Sequence, residues 1–348
     1  MALPLYNLAP DLQVSRLCLG TMTFGEQSSL PHSHRLLDEA FEAGINFFDS
    51  AEMYPVPQRR ETQGRSEEYL GLWVRQRRIP RNRVVLATKV AGPSGQMTWI
   101  REGPKSLDAG NILTAIDGSL SRMQTDYIDL YQIHWPDRYV PMFGETEYCP
   151  SYQYSSVPIE EQLDALGKAI SAGKIRYIGL SNETAYGVMK FLQIAKGGNL
   201  DHKIVSLQNS YNLVCRNFDS GLAECCHHER ISMLAYSPMA MGILSGKYFS
   251  TDAGPNDARF NIYKGKYSEG IHCHCQKVWH FSYMSCSCFC AGSSSYQLCG
   301  VRSNQILATK GGGQCFKNPS FCRNSCPDQQ NTCHISKSLS LISVLLYV

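Results

Sequence analysis

The sequence predicts an α/β chain folded as a (β/α)8 barrel, and three observations support that fold class. Up to Gly270, short apolar runs alternate with amphipathic stretches of helical length, which is typical of successive βα units around a parallel sheet. Polar residues suited to catalysis follow several of these runs, as they do at the carboxyl ends of barrel strands. Because no Gly-x-Gly-x-x-Gly follows any predicted strand, an open doubly wound sheet is disfavoured.

Each predicted element rests on its own pattern. The strand predictions are short apolar runs, at residues 16–20, 46–49, 83–89, 127–134, 174–180, 203–208 and 231–236. The helix predictions are longer stretches with one apolar face, at residues 34–42, 107–123, 159–171, 184–194 and 218–228. In the first helix, Leu36, Leu37 and Ala40 share a face, and Gly44 follows where a helix commonly ends.

Residues 1–270 and 271–348 differ in composition. The second part holds ten of the fifteen cysteines, and one acidic residue against six Lys and Arg. No Pro-rich or Gly/Ser-rich linker separates the parts, so we expect an incomplete barrel over 1–270, truncated after its seventh strand, and an aberrant Cys- and Ser-rich tail over 271–348. This tail is predicted to be mostly disordered and to reflect altered coding. Its last apolar run, 339–348, either adds a strand to an open sheet edge or forms an aggregation-prone end.

Composition excludes several classes of function. With 33 basic and 30 acidic residues, the formal net charge of +3 does not indicate a nucleic-acid partner. No run approaches the roughly 18 to 20 apolar residues of a membrane-spanning helix, and the first residues, MALPLYNLAP, lack an export or organelle signal. We therefore expect a cytoplasmic protein without nucleic-acid or membrane partners, and its oligomeric state stays open. The tail lacks the paired spacing of zinc sites, so no metal is predicted.

Polar side chains stand at the ends of six predicted strands. They are Asp49, Lys89, His134, Ser181 with Asn182, Gln208 and Tyr236. Each has an ordinary explanation alone, as a solvated strand end, a core histidine or a turn-forming asparagine. Their coincidence at one end of the same barrel indicates an active site.

Several strings also carry a family resemblance. They are GTMTFG at 20–25, NFFDSAEMY at 46–54, ATK at 87–89, QIHWP at 132–136 and GKIRYIGLSN at 173–182. In this order they resemble the aldo/keto reductase superfamily over roughly residues 3–267. The long insertion at 135–157 is similar to that of one bacterial and plant branch of the family.

The resemblance implies reduction of an aldehyde or ketone to an alcohol, by hydride from reduced NADP(H) and a proton from a side chain. Tyr54 would be the general acid. A tyrosine with its ordinary pKa of about 10 needs a cationic neighbour for this task, and Lys89 matches that neighbour. Asp49 would hold Lys89 charged and oriented, and His134 would direct the substrate carbonyl.

The resemblance also implies cofactor contacts. Ser181, Asn182 and Gln208 match residues that bind the nicotinamide carboxamide, and Tyr236 matches the aromatic residue that stacks on the ring. Thr21 and Met22 would line the same cleft. The loop over the pyrophosphate would include Ser237, Pro238, Met239, Gly242, Leu244 and Lys247. The family segment that grips the adenosine 2′-phosphate is not recognisable, so the choice between NADPH and NADH stays open.

The partner implied is a small-molecule carbonyl substrate whose identity the residues do not reveal. Tyr54 and Trp135 could form an aromatic wall with insertion residues, although a packed insertion would show the same aromatics; these are Phe143, Tyr148, Tyr152 and Tyr154. Two alternatives to an active reductase remain: a catalytically inactive truncated isoform, and a non-catalytic binding or regulatory protein with a reductase-like barrel.

Overall fold

The computed structural model describes residues 3–102, 106–142, 147–198 and 200–248, together with 256, 258, 261 and 343–347. The strands are β1 Leu5–Ala9, β2 Leu12–Ser15, β3 Leu17–Gly20, β4 Phe47–Asp49, β5 Val85–Val90, β6 Ile128–Ile133, β7 Ile175–Ser181, β8 Ile204–Ser210, β9 Ser232–Tyr236 and β10 Ser343–Tyr347. The α-helices are α1 Leu30–Glu42, α2 Arg65–Gln76, α3 Ala109–Met123, α4 Ile159–Ser171, α5 Ala185–Gly197 and α6 Leu222–Glu229.

Strands β3 to β9 form a parallel, curled sheet in chain order, which confirms the predicted α/β barrel and its seven strands. β10 lies between β9 and β3 and runs antiparallel to both, so both edges of the parallel sheet are paired. An antiparallel strand thus occupies the position of the missing eighth parallel strand. This is the first of the two outcomes expected for the run 339–348; the rest of the tail, with its predicted disorder, lies outside the described residues.

A hairpin that the sequence analysis missed seals the amino-terminal end of the barrel. β1 and β2 pair antiparallel around Pro10 and Asp11. Leu8, Leu12 and Val14 pack into the same apolar cluster as inward-facing residues of the barrel strands. Because this end is filled, the opposite, carboxyl end of the strands is the one left for chemistry.

Helix α2 was also missed, although it carries a helical pattern. Ser66, Leu70 and Trp73 follow one another at a spacing of four and three residues, and all three are fully buried. Gly71 lies against the backbone of Met123 in α3, where a Cβ atom would overlap the carbonyl group. The glycine therefore lets the two helices pack closely behind β5.

Two predicted helix starts were wrong by four residues. α1 begins at Leu30, four residues earlier than predicted, because Pro31 occupies its first turn, where a missing N–H costs nothing. α6 begins at Leu222, since Asn217–Asp219 form a separate 3-10 turn and Gly221, at φ +91°, breaks the helical path. Within the described part of the chain, none of the helices combines the length and the apolar character that crossing a bilayer would require.

Candidate active site

Three adjacent strands bring charged and polar side chains together at the carboxyl end of the barrel. Lys89 of β5 is fully buried, and its ammonium group pairs with Oδ2 of Asp49 at the end of β4. The same Nζ donates to the backbone oxygen of Ser50 over 2.7 Å. The predicted partnership of Asp49 with Lys89 is thus present, in a site that excludes water from the ion pair.

The second carboxylate oxygen of Asp49 is held by two amides. Gln132 and Gln208 donate to Oδ1 through Nε2, over 2.7 and 3.2 Å, and Gln208 also donates to Oε1 of Gln132 over 3.1 Å. Sequence reasoning gave Gln132 no role. The signal was its position on β6, two residues after the inward-facing Leu130 and two before His134.

Lys89 remains a cation in this setting. Burial lowers the pKa of Lys89, but attraction to Asp49 and to the phenolate form of Tyr54 outweighs burial, so that the pKa lies above its ordinary value. The ammonium nitrogen lies 5.0 Å from the centroid of the Tyr54 ring. A permanent positive charge therefore faces the proposed general acid.

His134 also contacts Tyr54, with the two ring centroids 5.6 Å apart and the planes nearly perpendicular. Burial lowers the pKa of His134 well below its usual value, and the charge of Lys89 lowers it further. The imidazole is therefore neutral at pH 7. Its buried Nδ1 has no hydrogen-bond partner among the described residues.

Asn182 links the predicted catalytic residues to the predicted cofactor residues. Its Nδ2 donates to the backbone oxygen of His134 over 2.8 Å and to the Ser181 hydroxyl over 3.3 Å. Its Oδ1 accepts a 2.7 Å hydrogen bond from the hydroxyl of Tyr236, which fixes one end of that ring. Gln208, by contrast, points its amide nitrogen to Asp49 and Gln132 beneath the rim.

Thr21 and Met22, at the end of β3, border the same rim. The Thr21 hydroxyl donates to the backbone oxygen of Asp49 over 3.1 Å, and Thr21 is fully buried. Met22 is partly buried against the apolar cluster that contains Tyr54. Thr21 therefore lies beside Asp49, and Met22 lies beside Tyr54.

The loop after β9 is a tight turn with several residues in the left-handed region. Ser237, Ala240, Met241 and Gly242 all have positive φ, and the Ser237 oxygen accepts from Nδ2 of Asn212 over 2.9 Å. Within the turn, the N–H groups of Ala240 and Gly242 donate to the backbone oxygens of Ser237 and Met239 over 2.8 and 2.9 Å.

In the loop after β9, one side chain lies across the turn and others pack into a small apolar cluster. A Cβ on Gly242 would come within 2.6 Å of Cε of Lys247, so the lysine side chain lies across the turn. Leu244 packs instead with Ile243 and Tyr248, and Met239 lies partly buried against the same cluster. Pro238 follows Ser237 at the start of this loop.

An apolar wall flanks Tyr54, but it comes largely from a segment that the sequence analysis did not single out. Residues 97–100, after β5, contribute Met97, Trp99 and Ile100 to a cluster with Tyr54 and Trp135. Met97 and Trp99 were the features of the sequence that could have indicated this apolar segment. Trp135 also donates to the backbone oxygen of Pro93 over 2.9 Å.

Tyr148, Tyr152 and Tyr154, the described tyrosines that the sequence analysis proposed for this wall, are not among the side chains that form it. Tyr148 and Tyr152 are more than half exposed, and each contacts the ring of Tyr139 at a centroid distance of 5.5 Å. The hydroxyl of Tyr154 donates to the backbone oxygen of Asp137. Phe143 lies outside the described residues. The packed-insertion interpretation therefore fits the three described tyrosines.

Comparison with known proteins agrees with this geometry. The profile of the Aldo/keto reductase family matches residues 16–281. "Protein tas" of Escherichia coli (strain K12) is 46% identical over 264 residues, covering 74% of this chain and 76% of that protein. An "Aldo-keto reductase" of Babesia bovis is 43% identical over 218 residues, covering 59% and 76%. The "Versiconal hemiacetal acetate reductase" of Aspergillus parasiticus is 31% identical over 277 residues, covering 70% and 71%. This chain therefore belongs to the aldo/keto reductase family of oxidoreductases.

Proposed function

We propose that this protein reduces aldehydes or ketones to alcohols with NADPH, and that Tyr54 is the proton donor. One observation carries the proposal: the Tyr54 ring has both a buried ammonium group, that of Lys89, and a neutral imidazole, that of His134, within 6 Å of its centroid. A general acid, a cation to stabilise its conjugate base and a neutral donor for the carbonyl oxygen are the groups that this reaction needs.

The reduced nicotinamide, when bound, supplies the hydride to the carbonyl carbon. As negative charge develops on the carbonyl oxygen, the Tyr54 hydroxyl gives its proton to that oxygen, and the alcohol forms. Tyr54 is left as a phenolate, whose charge Lys89 stabilises. Asp49 and the Ser50 carbonyl hold the ammonium group in place, so little reorganisation is needed during proton transfer.

His134 acts as a neutral group in this scheme. An imidazolium beside Lys89 would place two like charges in a buried site, and burial with Lys89 lowers the pKa of His134 accordingly. A neutral ring still offers one N–H to the substrate carbonyl. It orients the carbonyl toward Tyr54 without competing to donate the proton.

The residues around Asn182 and the loop after β9 suit a dinucleotide. Ser181 and Asn182 offer a hydroxyl and an amide for the carboxamide, and the Tyr236 ring, tethered to Asn182, offers a flat face for the nicotinamide. Lys247, whose side chain lies across the turn at 237–242, offers a cation for the pyrophosphate.

The substrate entrance favours apolar carbonyl compounds. Met22, Trp99 and Met142 flank the Tyr54 cluster as partly buried side chains, and thioether and indole groups adapt to flat or irregular ligands. The relative from Aspergillus parasiticus is named as the reductase of a hemiacetal acetate, which supports an organic carbonyl-derived substrate.

The test is a titration of NADPH into the purified chain, followed by nicotinamide fluorescence, with NADH as the matched control. Circular dichroism on the same sample reports whether the protein is folded. We expect saturable binding that favours NADPH, and NADPH oxidation when aromatic aldehydes or ketones are added. A folded protein that binds NADPH but does not oxidise it, whichever carbonyl compound is added, would support a non-catalytic barrel instead. Absence of binding would support an inactive isoform.

A further inference from the structure

Glu52 is a buried carboxylate outside the set of groups that the reaction uses. It lies two residues before Tyr54, and only 1% of the residue is exposed. Burial raises the pKa of Glu52, although the nearby Arg101 acts in the opposite direction. A charged or hydrogen-bonded group in such a place is costly unless its partners are fixed, and its contacts therefore indicate what it holds together.

The contacts of Glu52 join the segment that carries Tyr54 to the strand that carries Lys89. The backbone N–H of Glu52 donates to the backbone oxygen of Lys89 over 3.1 Å. Its carboxylate Oε1 accepts from the backbone N–H of Ala91, two residues beyond Lys89, over 2.6 Å. The backbone of Glu52 thus connects to Lys89 itself, and its side chain connects to Ala91 on the carboxyl-terminal side of Lys89.

Arg101 extends this connection to the apolar wall. Its guanidinium, whose side chain is 6% exposed, pairs with Oε1 of Glu52. It also donates to the backbone oxygen of Ala91 over 3.1 Å and to Oδ1 of Asn111 over 2.8 Å. Arg101 follows Ile100 directly, so the pair ties the wall to the loop that carries Tyr54.

We infer that Glu52 is a positioning residue that sets the placement of Tyr54 relative to Lys89 by joining the loop after β4 to the end of β5 and to Arg101. This inference rests on the proposed function only for its kinetic consequence; the placement of Tyr54 is measurable without turnover. Two further contacts hold the backbone of the loop at Glu52 and Tyr54. Gln63 donates to the Glu52 backbone oxygen over 2.6 Å, and Gly64 donates to that of Tyr54 over 2.8 Å.

A matched control lies close by. Glu67 is a fully buried carboxylate that pairs with Arg122 over 2.5 Å and accepts from the Thr88 hydroxyl over 2.5 Å. None of these partners belongs to the loop of Tyr54. Glu67 touches β5 only through the side chain of Thr88, so its substitutions reproduce the loss of a buried ion pair while the hydrogen bonds of Glu52 to Lys89 and Ala91 remain.

The groups that face Tyr54 determine what a rise or a fall of its pKa in a Glu52 variant would mean. They are Lys89 from β5, His134 from β6 and Tyr236 from β9, with Asp49 of β4 behind Lys89. Removing the negative charge of Glu52 would by itself favour the phenolate and lower the pKa of Tyr54. Increased distance from Lys89 would raise it. A raised pKa in the variant therefore reports displacement and not the lost charge.

The experiment titrates Tyr54 by NMR in full-length protein labelled at tyrosine Cζ, with its resonance assigned by comparison with Y54F. We expect E52L to raise the pKa of Tyr54, and E52Q, which keeps an acceptor for Ala91, to raise it less. E67L and E67Q should lower the unfolding midpoint without moving the Tyr54 resonance. If E52L unfolds, the comparison of E52Q with E67Q is sufficient.

Kinetics on the same variants give the second readout. We expect kcat of E52L to fall roughly 10- to 100-fold, the effect of a small misplacement of a reacting group, and its pH profile to follow the shifted Tyr54. An unchanged or lowered pKa of Tyr54 in both Glu52 variants, or an equal shift in the Glu67 variants, would overturn the inference. If wild-type protein reduces no carbonyl yet E52L raises the pKa, the proposed function fails while the positioning role stands.

Discussion

The two sides of the barrel are held together in different ways. On the side of β4, β5 and β6, buried charged groups link the strand ends through directional bonds, as in the contacts of Asp49 with Lys89 and of Glu52 with Arg101. On the side of β9, β10 and β3, the connection is a backbone ladder in which only Leu346 and Tyr347 of β10 pair with β9. The proposed proton-donating groups lie on the first side, and the proposed pyrophosphate loop leaves β9 on the second.

This difference indicates that chemistry and closure of the barrel can be disturbed separately. A change on the charged side should reduce turnover while the barrel and its cofactor loop persist. A change at the ladder should loosen the loop after β9 first, because β9 loses a neighbour on its outer edge.

The largest expected effect is on the charged side. Tyr54→Phe removes the proposed proton donor and keeps the ring that contacts His134. We expect kcat to fall by about 10² to 10⁴, the usual contribution of general acid catalysis. Steady-state NADPH oxidation measures this, with NADPH affinity and the unfolding midpoint as controls that should not change. Unaltered turnover would remove Tyr54 from the mechanism.

The second effect concerns the ladder. A chain ending at Ser338 lacks β10 and leaves the edges of β3 and β9 unpaired. We expect a loss of about 3 to 5 kcal/mol in the free energy of unfolding, since backbone hydrogen bonds contribute about 1 kcal/mol each. Urea unfolding followed by circular dichroism measures it, and NADPH affinity should fall in parallel.

The control for that deletion removes only Val348, which follows the last residue of β10. It should behave as the full chain does. If the chain ending at Ser338 unfolds at the same urea concentration as the full chain, then β10 contributes nothing to closure.

A smaller effect tests the packing behind the charged side. Gly71→Ala places a methyl group against the Met123 carbonyl and should cost about 1 to 3 kcal/mol. Gly197→Ala, in α5, meets nothing within 4 Å and should be neutral or stabilise the protein by up to about 1 kcal/mol. Thermal and urea unfolding of both variants, each compared with the wild-type protein, measure the two changes in stability. Equal destabilisation by both substitutions would contradict close contact between α2 and α3.

The smallest effect is a dependence of stability on pH. The pKa of His134 is lowered in the folded protein, so the unfolded chain binds the proton more readily, and His134 stabilises the fold fully only above pH of about 6.5. As the pH falls below that value, its contribution declines by at most about 1.4 kcal/mol per pH unit. In the His134→Gln variant, the urea unfolding midpoint should change less between pH 7.5 and 5.5 than it does in the wild-type protein. An identical slope in both proteins would contradict the neutral imidazole.

Sequence patterns predicted the parallel strands well because each is a buried apolar run, with both faces covered. They predicted Asp49, Lys89 and His134 as neighbours because parallel strand ends meet at one rim. The role of Gln132 was not predictable in the same way. An uncharged amide within an apolar strand has no preferred partner until the barrel curls and places Asp49 and Gln208 beside it.

Other features depend on long-range contacts that no local pattern encodes. β10 is separated from both of its partners by much of the chain, and its antiparallel direction follows from pairing, not from its residue types. Similarly, Glu52 looks like an ordinary surface glutamate in sequence. Only the approach of Ala91 and Arg101 turns it into a buried link.

The antiparallel direction of β10 determines which end of the molecule the chain terminus faces. Ser343 pairs with Gly20, at the rim beside Thr21, and Leu346 pairs with Leu17, at the opposite end of β3. The strand thus starts at the rim of the site and runs away from it. A fluorophore, affinity tag or surface tether attached beyond β10 would therefore start from the end of the barrel opposite the proposed substrate entrance.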